Sequence, residues 1–450
     1  MGLNARLLRF AHARPRVFLI TAPGATRTRL LVEAELRRRN GRMVTSPAAA
    51  SMLIVCGRPG SDLAAAVDTV WEDMPGPRSL VRLAPSASAE EVAAELDRAT
   101  AELADTAAQR ADAEARQERG PWSPGGDAEE MGDHADQMAG HEHHHAAPSE
   151  SDDDGHGAMR HEDDHEGHDS GHGEHMEHGG HGGGHGGHDH HMGAPMGLAM
   201  AERAADRDGL KLDVLHVPLG PALSDWPAGL VLHLALQGDV VQAAEVSVMD
   251  GSAEGPSFWN EPWLRSAAGD QVTTADAERR RAACHLDSVG RLLAVAGWER
   301  AADQARELRD EIIAGAPASE MASRVAKLAR RTGGSRTLRW MLSGVGVIDQ
   351  EMAERHGLTG PSARHLGDAF TRFSGWLDEI SHALERLDDS APLHETDGPR
   401  GPVEDRPSTA VLAMLPELLD GSELAAARLT VASLDPDLDQ IAVPTGVSGE

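Results

Sequence analysis

Between residues 116 and 196 the chain has almost no branched apolar side chains. It is built from Gly, His, Asp and Glu, and "HEDDHEGHDSGHGEHMEHGGHGGGHGGHDHH" runs from His161 to His191. Such a stretch buries too little surface to offset the entropy lost on ordering it, so it is expected to be disordered. Any packed core must therefore come from residues 1–115, from 197–450, or from both. The chain is read as two folded modules joined by an acidic His/Gly-rich linker. With 450 residues, 40% of them hydrophobic, there is enough apolar surface for two sizeable cores.

The first module alternates strands and helices. "RVFLITA" (Arg16–Ala22), "SMLIVCG" (Ser51–Gly57) and "SLVRLA" (Ser79–Ala84) are short β-branched or apolar runs bounded by turn residues. Helical patterns follow each: "RTRLLVEAELRRRN", then "LAAAVDTVWEDM" with Ser61 or Asp62 as its N-cap. A long helix of residues 90–117 opens on a capping box of Ser88 and Glu91. This order predicts an α/β module with a small parallel sheet covered on both faces. The second module opens with "GLVLHLALQGDVVQAAEVSVM", a hairpin turning at Gln237-Gly238-Asp239, and is mainly helical after about Thr274. Leu286, Val289, Leu292 and Leu293 share one face of a helical run that ends at Gly315. Phe370, Phe373, Leu377, Ile380 and Leu384 do the same in "DAFTRFSGWLDEISHALERL". The tail from Ser408 reads as helix, turn, strand. The expected class is α+β and helix-dominated.

A net charge of −31 argues against a nucleic-acid partner, which needs clustered Lys and Arg. The charge is uneven, because residues 121–192 carry eighteen Asp and Glu against the single Arg160. Cys56 and Cys284 are too few for a disulfide framework, for an iron–sulfur cluster or for a four-thiolate zinc site. So little cysteine suits a reducing cytoplasm. The basic start at residue 1 leads only to the short apolar run "VFLITA", not a signal-peptide core, and no run of about 18 apolar residues offers a membrane span. A cytoplasmic protein, peripheral at most to a membrane complex, is expected.

The candidate metal ligands all lie in the linker: His141, His143, His144, His145, His161, His165, His168, His172, His175, His178, His181, His185, His188, His190 and His191. Imidazoles and carboxylates at this density bind Zn²⁺ or Ni²⁺ weakly, without a fixed shell, because the spacing is irregular and no fold orients them. A solvated tether, a metal store or sensor and a pH-responsive spacer are all compatible with this composition. Elsewhere the chemistry is sparse. The turn "PGATRTR" (Pro23–Arg29) could point backbone N–H groups at an anion, but it lacks both the P-loop and the G-x-G-x-x-G pattern and reads as an ordinary βα turn. Cys56 reads as a small buried hydrophobe. Cys284 and His285 are helix neighbours that point in different directions. No catalytic or cofactor-binding residue is assigned.

Four segments of the second module carry a family resemblance: "GVGVI" (Gly344–Ile348), "GLTGP" (Gly357–Pro361), "GDAFTR" (Gly367–Arg372) and "SLDP" (Ser433–Pro436). In this order they resemble the quinone-site D-type subunit of respiratory complex I, the NADH-quinone oxidoreductase, a relative of the [NiFe]-hydrogenase large subunit. The first of them would be a strand. The hairpin from Val214 resembles the family's opening hairpin, and the likeness spans about residues 209–443. Ser46–Leu83, whose helix ends in Met74-Pro75-Gly76-Pro77, resembles the partner B-type or hydrogenase small subunit. The resemblance implies that two subunits which normally pack side by side are here one polypeptide, and that the modules dock.

The departures bear on function. The B-type family holds a [4Fe–4S] cluster on a tandem cysteine pair and two more cysteines, but the corresponding turn here is "TAPGAT". The D-type family presents a quinone-site histidine in G-P-x-H-P, aided by a tyrosine. This chain has Gly220-Pro221-Ala222-Leu223-Ser224-Asp225-Trp226 and no tyrosine at all. No iron–sulfur cluster is expected, and the resembled redox chemistry lacks its thiolates and proton donors. The expectation is a non-catalytic accessory or assembly protein related to subunits B and D, with respiratory-complex or hydrogenase subunits as partners. The alternatives are a His-rich nickel or zinc delivery protein for a hydrogenase-like client, and a quinone-binding oxidoreductase subunit.

Overall fold

The computed structural model describes residues 14–119, 203–205, 211–250 and 256–441. In the N-terminal part, strands β1 (Arg16–Thr21), β2 (Arg42–Met43), β3 (Met52–Cys56) and β4 (Ser79–Leu83) form a parallel sheet in the order β2-β1-β3-β4. The register sets Val17 opposite Met52, and Met52 opposite Ser79. Every residue of β3 is buried, as a central parallel strand requires. Met52, Ile54 and Cys56 face helices α1 (Thr26–Arg38) and α3 (Ala89–Leu103). Leu53 and Val55 face Leu63 and Val67 of α2 (Ser61–Asp73). The parallel sheet with helices on both faces is as the sequence predicts.

Two local details differ from expectation. Helix α2 is capped at Gly60 without a side-chain bond, because the Ser61 hydroxyl donates to Asp62 instead. The long helix breaks at Ala104-Asp105, and the Asp105 carboxylate accepts from the N–H groups of Ala107 and Ala108 to start α4 (Thr106–Arg119). A strong local cap thus splits a continuous helical pattern. The Ser88–Glu91 capping box is present in both directions.

The C-terminal part opens with an antiparallel sheet of β5 (Arg203–Ala205), β6 (Lys211–Leu219), β7 (Leu230–Gln237) and β8 (Val240–Val248). Gly238 takes the left-handed conformation that the two-residue β7–β8 turn needs. Leu230, Leu232, Leu234 and Leu236 alternate onto one face and pack under α13 (Ser408–Leu419) and α14 (Leu424–Leu434). After α5 (Glu261–Ala267) comes α6 (Thr274–Val295), the axis of the helical core. It is buried nearly all round by α7 (Glu299–Ile313), α12 (Ala369–Glu385) and α14, while α8 (Ala318–Gly333) packs on α7 and α12.

Two expected elements are corrected here. The run to Gly315 is two helices, because Gly297 at φ +77 ends the first and lets the chain reverse into α7. The tail is helix, turn, helix: Leu429, Thr430 and Val431 form part of α14, whose burial against the core outweighs the strand preference of its β-branched residues. Among the described residues no helix is long and apolar enough to cross a membrane.

Candidate functional site

Each of the four motif segments contributes to one buried assembly. Asp368 caps α12 by accepting from Thr371 N at 2.9 Å, and its other oxygen accepts from Gly344 N at 2.9 Å. Ile348 and Gly367 pair backbone to backbone, so "GVGVI" forms an isolated bridge rather than the strand expected of it. The reason is the left-handed backbone of Gly344 and Gly346, which breaks extension. Arg372, one turn into α12, donates to Ser433 Oγ at 2.8 and 3.1 Å and to the Gly367 carbonyl at 2.9 Å. Gly360 lets the Arg400 carbonyl approach, for a Cβ there would lie 2.1 Å from that oxygen. Asp435, in the left-handed conformation just after α14, accepts from Ser288 at 2.8 Å, Arg291 at 3.1 Å and Arg400 at 2.5 Å.

A second assembly joins the N-terminal part to the C-terminal part. Asp287 of α6 is 2% exposed and receives Arg29 of α1 at 2.7 and 3.2 Å, together with Arg309 of α7. Arg291 adds a fourth approach at 3.4 Å. Glu33 of α1 pairs with Arg29 at 2.7 Å and with Arg309 at 2.9 Å. Burial alone would raise both carboxyls. Arg29, Arg309 and Arg306 hold Glu33 well below the usual carboxylate range, and Arg29, Arg291 and Arg309 do the same for Asp287. Leu30, between the two charged residues of α1, packs into the helical core around α6.

The turn "PGATRTR" also binds an anion, and the anion belongs to this chain. Gly24 N donates to Asp439 Oδ1 at 2.6 Å and Thr26 Oγ1 donates to Asp439 Oδ2 at 2.8 Å, placing a carboxylate at the N-terminus of α1. Neighbouring Asp437 is buried, accepts from Ser257 Oγ at 2.7 Å, and has its carboxyl pushed up to about 7 by burial and by Asp439.

Between the two parts lies a cavity of about 410 Å³. The Pro221–Trp226 loop forms one wall, and Arg29, Arg291 and Arg306 contribute to another. Within this loop Asp225 is ion-paired to the buried Arg306, and Trp226 Nε1 donates to the Leu230 carbonyl at 2.9 Å. Burial raises the Asp225 carboxyl, and Arg306 opposes that rise.

The metal-ligand candidates from His141 to His191 lie outside the described residues. Among the described residues no group of three His, Cys, Asp or Glu side chains is placed to hold a metal ion. Cys56 and Cys284 are buried and free, and burial pushes both thiols up, Cys284 to about 12. They behave as small apolar residues. His285 is buried too, with neither ring nitrogen hydrogen-bonded, and burial holds it neutral. The sequence reading passed over Arg29, Glu33, Asp287 and Arg309. The signal was there as charged residues embedded in the apolar runs of α1, α6 and α7.

No protein-family profile matches the chain, and no curated protein matches it. Among solved structures it is similar to a chain of the membrane-bound sulfane sulfur reductase, an archaeal respiratory membrane complex. That match has a TM-score of 0.39 and 15% identity, covering 50% of this chain and 98% of that one.

Proposed function

We propose that this chain is a non-catalytic fusion related to the B-type and D-type subunits of complex I, serving as an accessory or assembly protein of a respiratory complex or hydrogenase. The observation that carries the reading is the Asp225–Arg306 ion pair in the Gly220–Trp226 loop. In the resembled subunit that loop offers an imidazole to a quinone. A carboxylate tied to a buried guanidinium is a structural clamp instead, since arginine holds its proton at any physiological pH. The ordered convergence of Gly344, Asp368, Arg372 and Asp435 supports the family likeness, and the Trp340 side chain, 79% exposed, offers an apolar contact for a partner. The cavity of about 410 Å³ behind the loop favours a second reading, a quinone-binding subunit.

One preparation separates these readings. The full chain, purified anaerobically, is expected to lack stoichiometric iron and acid-labile sulfide, to show no saturable binding of a short-chain ubiquinone, and to crosslink to respiratory or hydrogenase subunits in membranes of its host. Saturable quinone binding that Asp225→Ala alters would establish the second reading. A single tight Ni²⁺ or Zn²⁺ site lost on deleting residues 134–191 would establish the metal-delivery alternative.

A further inference from the structure

Three of the motif segments, through Pro361, Arg372 and Ser433–Pro436, line a second, far smaller cavity of about 20 Å³. Its polar lining consists of Ser362, His365, Arg372, Arg400, Ser408 and Ser433, and no Asp or Glu lines it. In a chain with a net charge of −31 this inverts the bulk composition.

Arg372 is 2% exposed, and its donors go to a hydroxyl and a carbonyl; among the described residues it forms no ion pair. Burial pulls it down to about 10, and Asp368 at the start of the same helix opposes that fall. Arg400 uses Nη2 on Ser288 and Asp435, while its Nε is buried with no hydrogen-bond partner. His365 Nε2 faces Glu379, 3.7 Å from its nearest oxygen. A buried guanidinium without a counter-charge is costly, and so is a buried N–H without an acceptor. Both are found at the wall of a space that fits about one water-sized particle. A water would satisfy the free N–H but leave the charge of Arg372 unanswered.

We propose that this cavity binds one small monovalent inorganic anion of halide size, held between Arg372 and Arg400 with the hydroxyls of Ser362 and Ser408 completing its shell. Sulfate and phosphate are too large for the space, so the site discriminates by size as well as by charge. The proposal is independent of the accessory role and of the quinone question.

The test uses the full chain. Replacing sodium gluconate with sodium chloride or bromide at constant ionic strength is expected to raise the melting temperature by about 2 °C or more. The rise should saturate in the millimolar range, as mass action for a bound ligand requires. In crystals grown with bromide, an anomalous peak is expected between Arg372 and Arg400. Ser362→Leu, which fills the space while keeping both arginines, should abolish the halide-dependent shift. A melting temperature equal in gluconate and chloride, a halide shift retained by Ser362→Leu, or bromide crystals with no peak in the cavity would each overturn the site.

Discussion

Asp287 holds together what would otherwise be three separate positive charges in the interior. It meets Arg29, Arg291 and Arg309 from three helices, and removing its charge leaves Arg29 and Arg309 to share Glu33 and Asp310 while Arg291 keeps only Asp435. Breaking one partner of a buried ion pair is far costlier than its surface equivalent. Asp287→Asn is therefore expected to lower unfolding stability by about 3–5 kcal/mol, read as a shift of the urea midpoint. Asp437 works in the opposite sense. Its folded carboxyl sits at about 7 against an unfolded 3.8, so between those values the native state holds an extra proton. Its contribution is therefore fully favourable below the lower value and declines as pH rises towards 7. Asp437→Asn, which keeps the shape and the contact with Ser257, should flatten the fall in stability between about pH 4 and 7. Glu33 and Asp287, both held low, contribute in the usual carboxylate direction and lose their contribution only as pH falls below about 4.

Among the elements, the ones legible from sequence were those whose local chemistry and burial agree. β3 is apolar throughout and central, and α3 begins where Ser88 and Glu91 can bond each other's backbone. The exposed cap is a clean place to measure that agreement: Ser88→Ala is expected to cost about 1 kcal/mol, seen in thermal melts followed by circular dichroism. The misread elements are those where distant packing or a single residue intervenes. Asp105 starts a new helix within a helical pattern, Gly297 reverses another, and "LTVASL" is helical because the core holds it so. The candidate site was legible only in part, for a similar reason. The motif segments marked Asp368, Arg372 and Asp435 as important, but periodicity treats Arg29, Glu33, Asp287 and Arg309 as the solvated faces of amphipathic helices. Their burial is decided by which helix packs beside them, and that pairing crosses 258 residues of chain.

At the scale of the whole molecule, residues 14–119 and the described residues from 203 to 441 belong to one compact unit. Arg29, Glu33 and Leu30 in the interface set how strongly the two parts hold. A protease site inserted within residues 121–200 and then cut should leave two pieces that elute together. They should still do so at about 1 M salt, because buried pairs are screened much less than exposed ones. Separation of the pieces at low salt would mean that the interface is too weak to join the halves without the tether.

The carboxylate of Asp439 seated at the start of α1 has a consequence in time. Helix α1 is synthesised before its acceptor, which lies 415 residues further along the chain. At a translation rate of about 5–20 residues per second, roughly 20–80 seconds pass before that carboxylate exists. Throughout that interval the amide of Gly24 and the hydroxyl of Thr26 face water or whatever anion is at hand. A chain cut short before Asp439 would leave them that way, so the first turn of α1 also registers whether residue 439 was made.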